Sequence, residues 1–234
     1  MRSSKILVVD LDETLTRGGD DPLKPYIKES LLHLRNQGWT LVLATGRDRR
    51  YLSKRTDLKG IFDAWVTEAG LSVYIPSSGV YYCFADERWV ASVKKLAHFP
   101  FIEEKENTIA FKLECMDLVK SEISKLEVKT VLRNNKGYVI VLPEGVSKAL
   151  GVKEALKLLN VDGYIMVIGD SEIDLELFAI ADFKATVANA EQSLKEKADY
   201  IAYRDNGDGV LEIVEFVLLQ SNEAIFKRQV KQTS

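Results

Sequence analysis

A chain of 234 residues, 46% of them hydrophobic, is long enough to bury one large core or two small ones. Its formal charge of −3 argues against a nucleic-acid surface, and no apolar run approaches the ~20 residues of a membrane span. The N-terminus has no signal-peptide core, so the expectation is a soluble, cytoplasmic protein, monomer or homodimer. His33 and His98 are the only histidines, and neither sits beside a Gly-x-Ser-x-Gly or His-Glu-x-x-His motif. Cys83 and Cys115 match no metal spacing and read as reduced, buried small residues. Any metal should then be a hard cation held by oxygen.

Ile6 to Val9 form a short continuous apolar run, as in a strand buried on both faces, and the run ends in Asp10 and Asp12. Gly18 to Pro22 is a loop by composition. Tyr26 to Gln37 has helical apolar spacing and stops at Gly38, and Trp39 to Ala44 is the next strand, closed by Thr45-Gly46-Arg47. A helix over 49–56 and a strand over 64–67 complete β-α-β-α-β. A hairpin (71–75 and 80–84) follows around Pro76-Ser77-Ser78-Gly79.

From Asp86 the rhythm changes. A helix over 87–97, strands near 99–103 and 108–114, a helix over 118–126 and strands over 129–133 and 138–142 give α-β-β-α-β-β. Sheet rhythm resumes with a helix from Ser147 to about Leu159 and an apolar strand, Tyr164 to Ile168, ending in Gly169-Asp170-Ser171. A helix (173–181), strand (184–187), helix (191–197), strand (200–202) and helix (209–219) follow, with a frayed tail from Lys227. The expected fold is α/β: a doubly wound, Rossmann-like parallel sheet (1–85 and 143–234) split by a small α+β domain (86–142).

Three inferred strands end in polar residues at one sheet edge: Asp10 with Asp12, Thr45, and Asp170 with Asp174. Lys148 opens the helix before the last of them. An Asp-x-Asp after a strand is often only a solvated turn with an N-cap. Two calcium-loop readings fail, because Leu15 and Asp21 stand where that loop needs Gly and Glu, and the loop begun at Asp205 ends on Phe216. Taken together, the carboxylates suit an octahedral magnesium ion completed by water and a phosphate. A hydroxyl and an ammonium nearby could hold phosphoryl oxygens, and one aspartate could act as nucleophile.

Asp-Leu-Asp-Glu-Thr-Leu-Thr, Ala-Thr-Gly-Arg, Ser-Lys-Ala-Leu and Gly-Asp-Ser-Glu-Ile-Asp resemble, in order, the four motifs of the haloacid dehalogenase-like phosphatases. The inserted segment resembles their class IIB (Cof-like) cap. The stretch from Lys148 through Val187-Ala188-Asn189-Ala190 to Asn206-Gly207-Asp208-Gly209-Val210 is similar to archaeal phosphoglycolate phosphatases. The resemblance implies Asp10 as nucleophile and Asp12 as general acid/base, protonated through crowding with Asp10. It implies Thr45, Gly46 and Lys148 as phosphoryl holders, and Mg2+ on Asp10, the Asp12 carbonyl and Asp170, with Asp174 ordering its waters. Arg47 contacts substrate or cap, or simply pairs with a surface carboxylate. The implied reaction is magnesium-dependent hydrolysis of a small phosphorylated metabolite, phosphoglycolate first, through an aspartyl-phosphate. A sugar-phosphate phosphatase or a phosphomutase would use the same motifs, and a receiver-like signalling module is the rival from another class.

Four positions depart from the family pattern. Glu13 and Ala149 stand where Gly is usual, Ile173 replaces the Asn before Asp174, and Glu68-Ala69-Gly70 replaces Glu-Asn-Gly. Losing the amide at Ile173 is expected to weaken metal binding.

Overall fold

The computed structural model describes residues 4–232, with side chains described through Leu219. In chain order, β1 (Ser4–Val9), α1 (Pro25–Asn36), β2 (Trp39–Ala44), α2 (Arg49–Lys54) and β3 (Ala64–Thr67) alternate, and the hairpin β4 (Ser72–Ile75) and β5 (Val80–Cys83) follows. Next come α3 (Glu87–Lys94), β6 (Ile102–Glu104), β7 (Ile109–Lys112), α4 (Met116–Ile123), β8 (Thr130–Asn135) and β9 (Tyr138–Pro143). The chain then continues through α5 (Lys148–Leu159), β10 (Gly163–Gly169), α6 (Leu175–Phe178) and β11 (Phe183–Thr186). It ends with α7 (Gln192–Lys195), β12 (Tyr200–Ile201) and α8 (Asn206–Gln232).

Two sheets result. The larger has the order β12-β11-β10-β1-β2-β3-β4-β5, parallel from β12 to β3 and antiparallel at β4 and β5. β1 is central, so Ile6 to Val9 are wholly buried, which is why that run is continuous rather than alternating. From β1 the chain winds outward one way through β2 and β3, and later the other way through β10, β11 and β12. The crevice at that reversal, beyond the carboxyl ends of β1 and β10, is where open sheets bind ligands. The smaller sheet is antiparallel, in the order β6-β7-β9-β8.

Helix α1 shows how sequence dictates position. Pro25 starts it, where the missing N–H costs nothing, and Ile27, Leu31 and Leu34 form one buried stripe. Gly38, at φ 86°, then reverses the chain into β2.

Several expected boundaries move. β6 begins at Ile102 rather than near Phe99, because Pro100 has no N–H to give a ladder. The expected helix at 173–181 is a 3-10 turn (Glu172–Asp174) followed by the single turn of α6. Helix α8 runs on to Gln232, past the expected end at Leu219 and into the expected tail from Lys227. Thr233 and Ser234 lie outside the described residues. Cys83 and Cys115 are free thiols, but half-buried rather than buried.

A second apolar cluster joins the small sheet to the large one. Ala69, Leu71, Val146 and Ile173 pack with Trp89, Phe111 and the inner residues of β9.

Candidate active site

The register of the large sheet assembles the site. Val9 pairs with Ile168 on one side and with Leu43 on the other, so β1, β10 and β2 end level. The residues just beyond are Asp10, the Gly169–Asp170 step and Thr45. Asp10 stays in the ladder through its N–H to Ile168 O (3.1 Å), and Thr45 through its N–H to Val66 O (2.9 Å). Gly169 is required here, because a Cβ would lie 2.6 Å from a carboxylate oxygen of Asp174.

Asp10, Asp170 and Asp174 present oxygens within 4.8 Å of one another, and all three are buried. Between two of them lies Lys148, wholly buried, with Nζ 2.8 Å from Asp10 Oδ1 and 2.7 Å from Asp174 Oδ1. It opens α5, which Ser147 caps by accepting from the Leu150 N–H (3.1 Å). Gly70, at φ 99°, lets the Ser147 backbone approach where a Cβ would stand 2.0 Å from its carbonyl oxygen. The other oxygen of Asp174 accepts from the Asp170 and Ser171 N–H groups and from Ser171 Oγ (3.1, 3.2 and 3.2 Å). Asp174 is thereby held firmly by the protein, with Oδ1 still able to accept once more. Asp170 accepts from Thr14 Oγ1 (2.8 Å).

Burial dominates the electrostatics. It drives Asp10 well above the usual carboxylate range; Lys148 opposes the rise, and Asp174 and Asp170 add to it. Burial and Asp174 likewise push Asp170 to about 6. Lys148 goes up despite its burial, because Asp10 and Asp174 hold its charge. Three buried carboxylates met by two ammoniums, Lys148 and Lys136, still lack positive charge, which a hard divalent cation on oxygen ligands would supply.

Asp12 lies outside the trio, and the neighbour bonded to it is Arg47 rather than Asp10. The guanidinium forks onto both oxygens, with Nε 2.9 Å from Oδ2 and Nη2 2.8 Å from Oδ1. It also rests on the Tyr51 ring, 4.5 Å from the centroid. Of the alternatives open for Arg47, pairing with a carboxylate is the one observed, and that carboxylate is in the site. Thr45 is fully buried, its Oγ1 accepting from the Arg47 N–H (3.1 Å). Gly46 lines the same cavity, of about 410 Å³, as Asp10, Asp12, Arg47, Lys148 and Asp170.

The small sheet closes that cavity and brings residues that sequence reasoning missed. Lys136 sits in a two-residue turn with Gly137, both at positive φ (48° and 84°), between Asn135 and its strand partner Tyr138. Its ammonium bonds both Glu13 and Asp170. Glu68, fully buried and at φ 52°, accepts from the Asn107 N–H (2.7 Å) and Nδ2 (2.6 Å) and from Ser72 Oγ (3.1 Å). Glu176 accepts from Arg133 Nε (3.0 Å) and from the Lys148 N–H (2.9 Å). The only advance signal was the Asn-Lys-Gly turn. The other pairs join residues far apart in the chain and leave no periodic trace.

The sequence profile of the haloacid dehalogenase-like hydrolases matches residues 7–83 and 83–214. The chain belongs to this family. A phosphoglycolate phosphatase of Sulfurisphaera tokodaii is 30% identical over 223 residues, covering 91% of this chain and 94% of the relative. Among solved structures, Thermoplasma acidophilum 0175 superposes with a TM-score of 0.74 at 21% identity, over 92% of this chain and 98% of that one. A HAD subclass IIB sugar phosphatase superposes at 0.70 and 17% identity, over 92% and 99%. Among the described residues, no helix is long and apolar enough to cross a membrane.

A receiver-like module is ruled out by this membership and by the second sheet. Within the haloacid dehalogenase-like frame, the departures acquire contacts. Ala69 and Ile173 both join the apolar cluster against the small sheet and both line the cavity, so an apolar seam stands where the family has amides. Glu13, at φ 60°, adopts the backbone that glycine favours and carries its carboxylate to Lys136. Ala149 lies within α5, where it favours helix more than glycine would.

Proposed function

We propose that this protein is a magnesium-dependent phosphatase acting on a small phosphorylated acid, with phosphoglycolate the first candidate. The observation that carries the reading is the level convergence of Asp10, Asp170 and Asp174 around the buried Lys148 at the switch point of the sheet. Asp10 is the nucleophile. Its free oxygen attacks phosphorus, the bond from phosphorus to the leaving oxygen breaks, and Asp12 delivers the proton that makes the leaving group an alcohol. Water then attacks the aspartyl-phosphate. Asp12 takes a proton from that water, phosphate leaves, and Asp10 is restored.

Both oxygens of Asp12 are held by Arg47 in this structure, so the fork must loosen before Asp12 faces a leaving oxygen. Thr45, Gly46 and Lys148 hold the phosphoryl oxygens. Asp10, Asp170 and the Asp12 carbonyl hold magnesium, with Asp174 positioning its water ligands. The buried, oxygen-only donors suit that ion, and in this structure the ammonium of Lys136 supplies a counter-charge to Asp170. When bound, the metal neutralises charge on the phosphoryl oxygens. We propose residues 86–142 as the cap that shuts water out.

A magnesium-dependent screen of phosphorylated metabolites, read as released phosphate, tests the proposal. The expected result is turnover of small phosphorylated acids, abolished by chelator, and little on phosphopeptides. No phosphate release from any phosphomonoester, p-nitrophenyl phosphate included, would sink it. Product that keeps its phosphate at a new position would mark a phosphomutase.

A further inference from the structure

The core side of the cavity accounts for a phosphoryl group, and the cap side carries chemistry that this task does not use. Lys105, on the turn between β6 and β7, is only 8% exposed although it is a lysine. Lys105 lines the cavity, and its ammonium pairs with Glu103 at 3.0 Å, a side chain 54% exposed. Among the described residues, two of its three N–H donors have no protein acceptor. Asn135 lines the same cavity, and among the described residues its buried Oδ1 has no hydrogen-bond partner, an acceptor open to a donor such as water or a ligand hydroxyl. Lys136, the next residue, brings a second ammonium to the cavity.

A buried ammonium with two spare donors is a costly feature unless an acceptor meets it. We propose that Lys105, with Lys136 on the same wall of the cavity, forms a subsite for a carboxylate carried by the substrate beyond its phosphoryl group. This rests on the phosphatase reading and adds what recognises the rest of the substrate. Glu103 marks the chemistry. Its carboxylate occupies the ammonium of Lys105 and, being half in water, yields to a substrate carboxylate by turning outward. Lys105 is held in place from two residues away, since Asn107 is fastened to the buried Glu68 and the Lys105 N–H bonds Thr108 O at 2.9 Å. The subsite therefore keeps its distance from Asp10 and measures the substrate between phosphorus and carboxylate. Neutral phosphorylated compounds of the same length leave Lys105 with Glu103 and gain nothing.

Calorimetry on the magnesium-loaded protein decides the matter with two inert ligands of equal length. 3-Phosphonopropionate keeps the carboxylate and propylphosphonate lacks it. The wild-type protein should bind the first about tenfold or more tightly, the scale of a charge-assisted hydrogen bond. Lys105→Met should collapse that ratio to within twofold, Lys105→Arg should retain most of it, and Glu103→Gln should raise it. A wild-type ratio near one overturns the subsite with no variant needed, as does a Lys105→Met protein that keeps the tenfold preference. Hydrolysis of p-nitrophenyl phosphate in the same preparation separates the two failures. Turnover without carboxylate preference removes only the subsite, whereas absence of turnover removes the phosphatase reading.

Discussion

Lys148 is the residue on which the site's charges balance. Removing it leaves Asp10 and Asp174 buried with no counter-charge, which costs about 3–5 kcal/mol and should lower the melting temperature of Lys148→Met by about 10 °C. Added magnesium should restore part of that loss in a thermal melt, because a cation again meets the carboxylates. Asp10→Asn should keep the fold and lower turnover by about a thousandfold or more, since an amide is no nucleophile toward phosphorus. Measurable turnover near wild type, with contaminating phosphatase excluded, would refute the assignment. Asp12→Asn discriminates further. It should slow an alkyl phosphate by about 10²–10⁴-fold and p-nitrophenyl phosphate far less, because a good leaving group needs no proton. Equal losses on both would argue that Asp12 is not the acid.

Among the elements, the turn after β3 couples two functions. The Glu68 and Ala69 N–H groups bond the Arg47 and Thr45 carbonyls, both at 2.9 Å, while the Glu68 carboxylate holds the β6–β7 turn through Asn107. One residue at a left-handed φ thus ties the strand end bearing Thr45 to the cap. Asn107→Ala should cost about 1.5–3 kcal/mol in chemical denaturation, as for a lost hydrogen bond to a charged group. Burial raises the Glu68 carboxyl above its ordinary 4.5, against the pull of its hydrogen bonds. The sign follows. A raised folded-state value contributes stability that is fully present below 4.5 and is lost as pH rises through the folded value. The melting temperature of the wild type minus that of Glu68→Gln should therefore grow as pH falls from 7 towards 4.5. A flat difference would refute it. None of this was legible in the chain. β1, β2 and β10 were, because strands buried on both faces read as unbroken apolar runs. The trio was also legible, because Asp10 and Asp170 close such runs and Asp174 follows within the same Gly-Asp-Ser-Glu-Ile-Asp motif. Glu68 and Lys136 act through docking of one sheet on another, which has no sequence period, and the half-exposed cap strands have blurred ends for the same physical reason.

For the molecule as a whole, the segment proposed as the cap is docked by two ion pairs, a Glu–Asn hydrogen bond and an apolar seam. Glu13, Glu68 and Glu176 of the core face Lys136, Asn107 and Arg133 of the cap, and Leu71, Val146 and Ile173 lie beneath it. Replacing 86–142 with a Gly/Ser linker should keep weak p-nitrophenyl phosphate hydrolysis and remove discrimination among metabolites. The excision bares those apolar residues, so solubility should require polar substitutions at Leu71 and Val146. A soluble, folded capless core that still ranks metabolites as the whole protein does would show that specificity lies elsewhere. The position of β1 between β2 and β10 has one more consequence, for the order in which the chain is made. Ser4 pairs with Gly163, so the first strand emerges from the ribosome with one edge unsatisfied and waits for most of the polypeptide. The cap sheet, closed within 102–143, has all its partners about 20 residues of synthesis before β10 begins at Gly163. The insertion should then be native while the surrounding sheet is still open. Until β10 arrives, Asp10 has neither Asp170 nor Asp174 beside it, and a ribosome-bound chain has no catalytic centre to misfire.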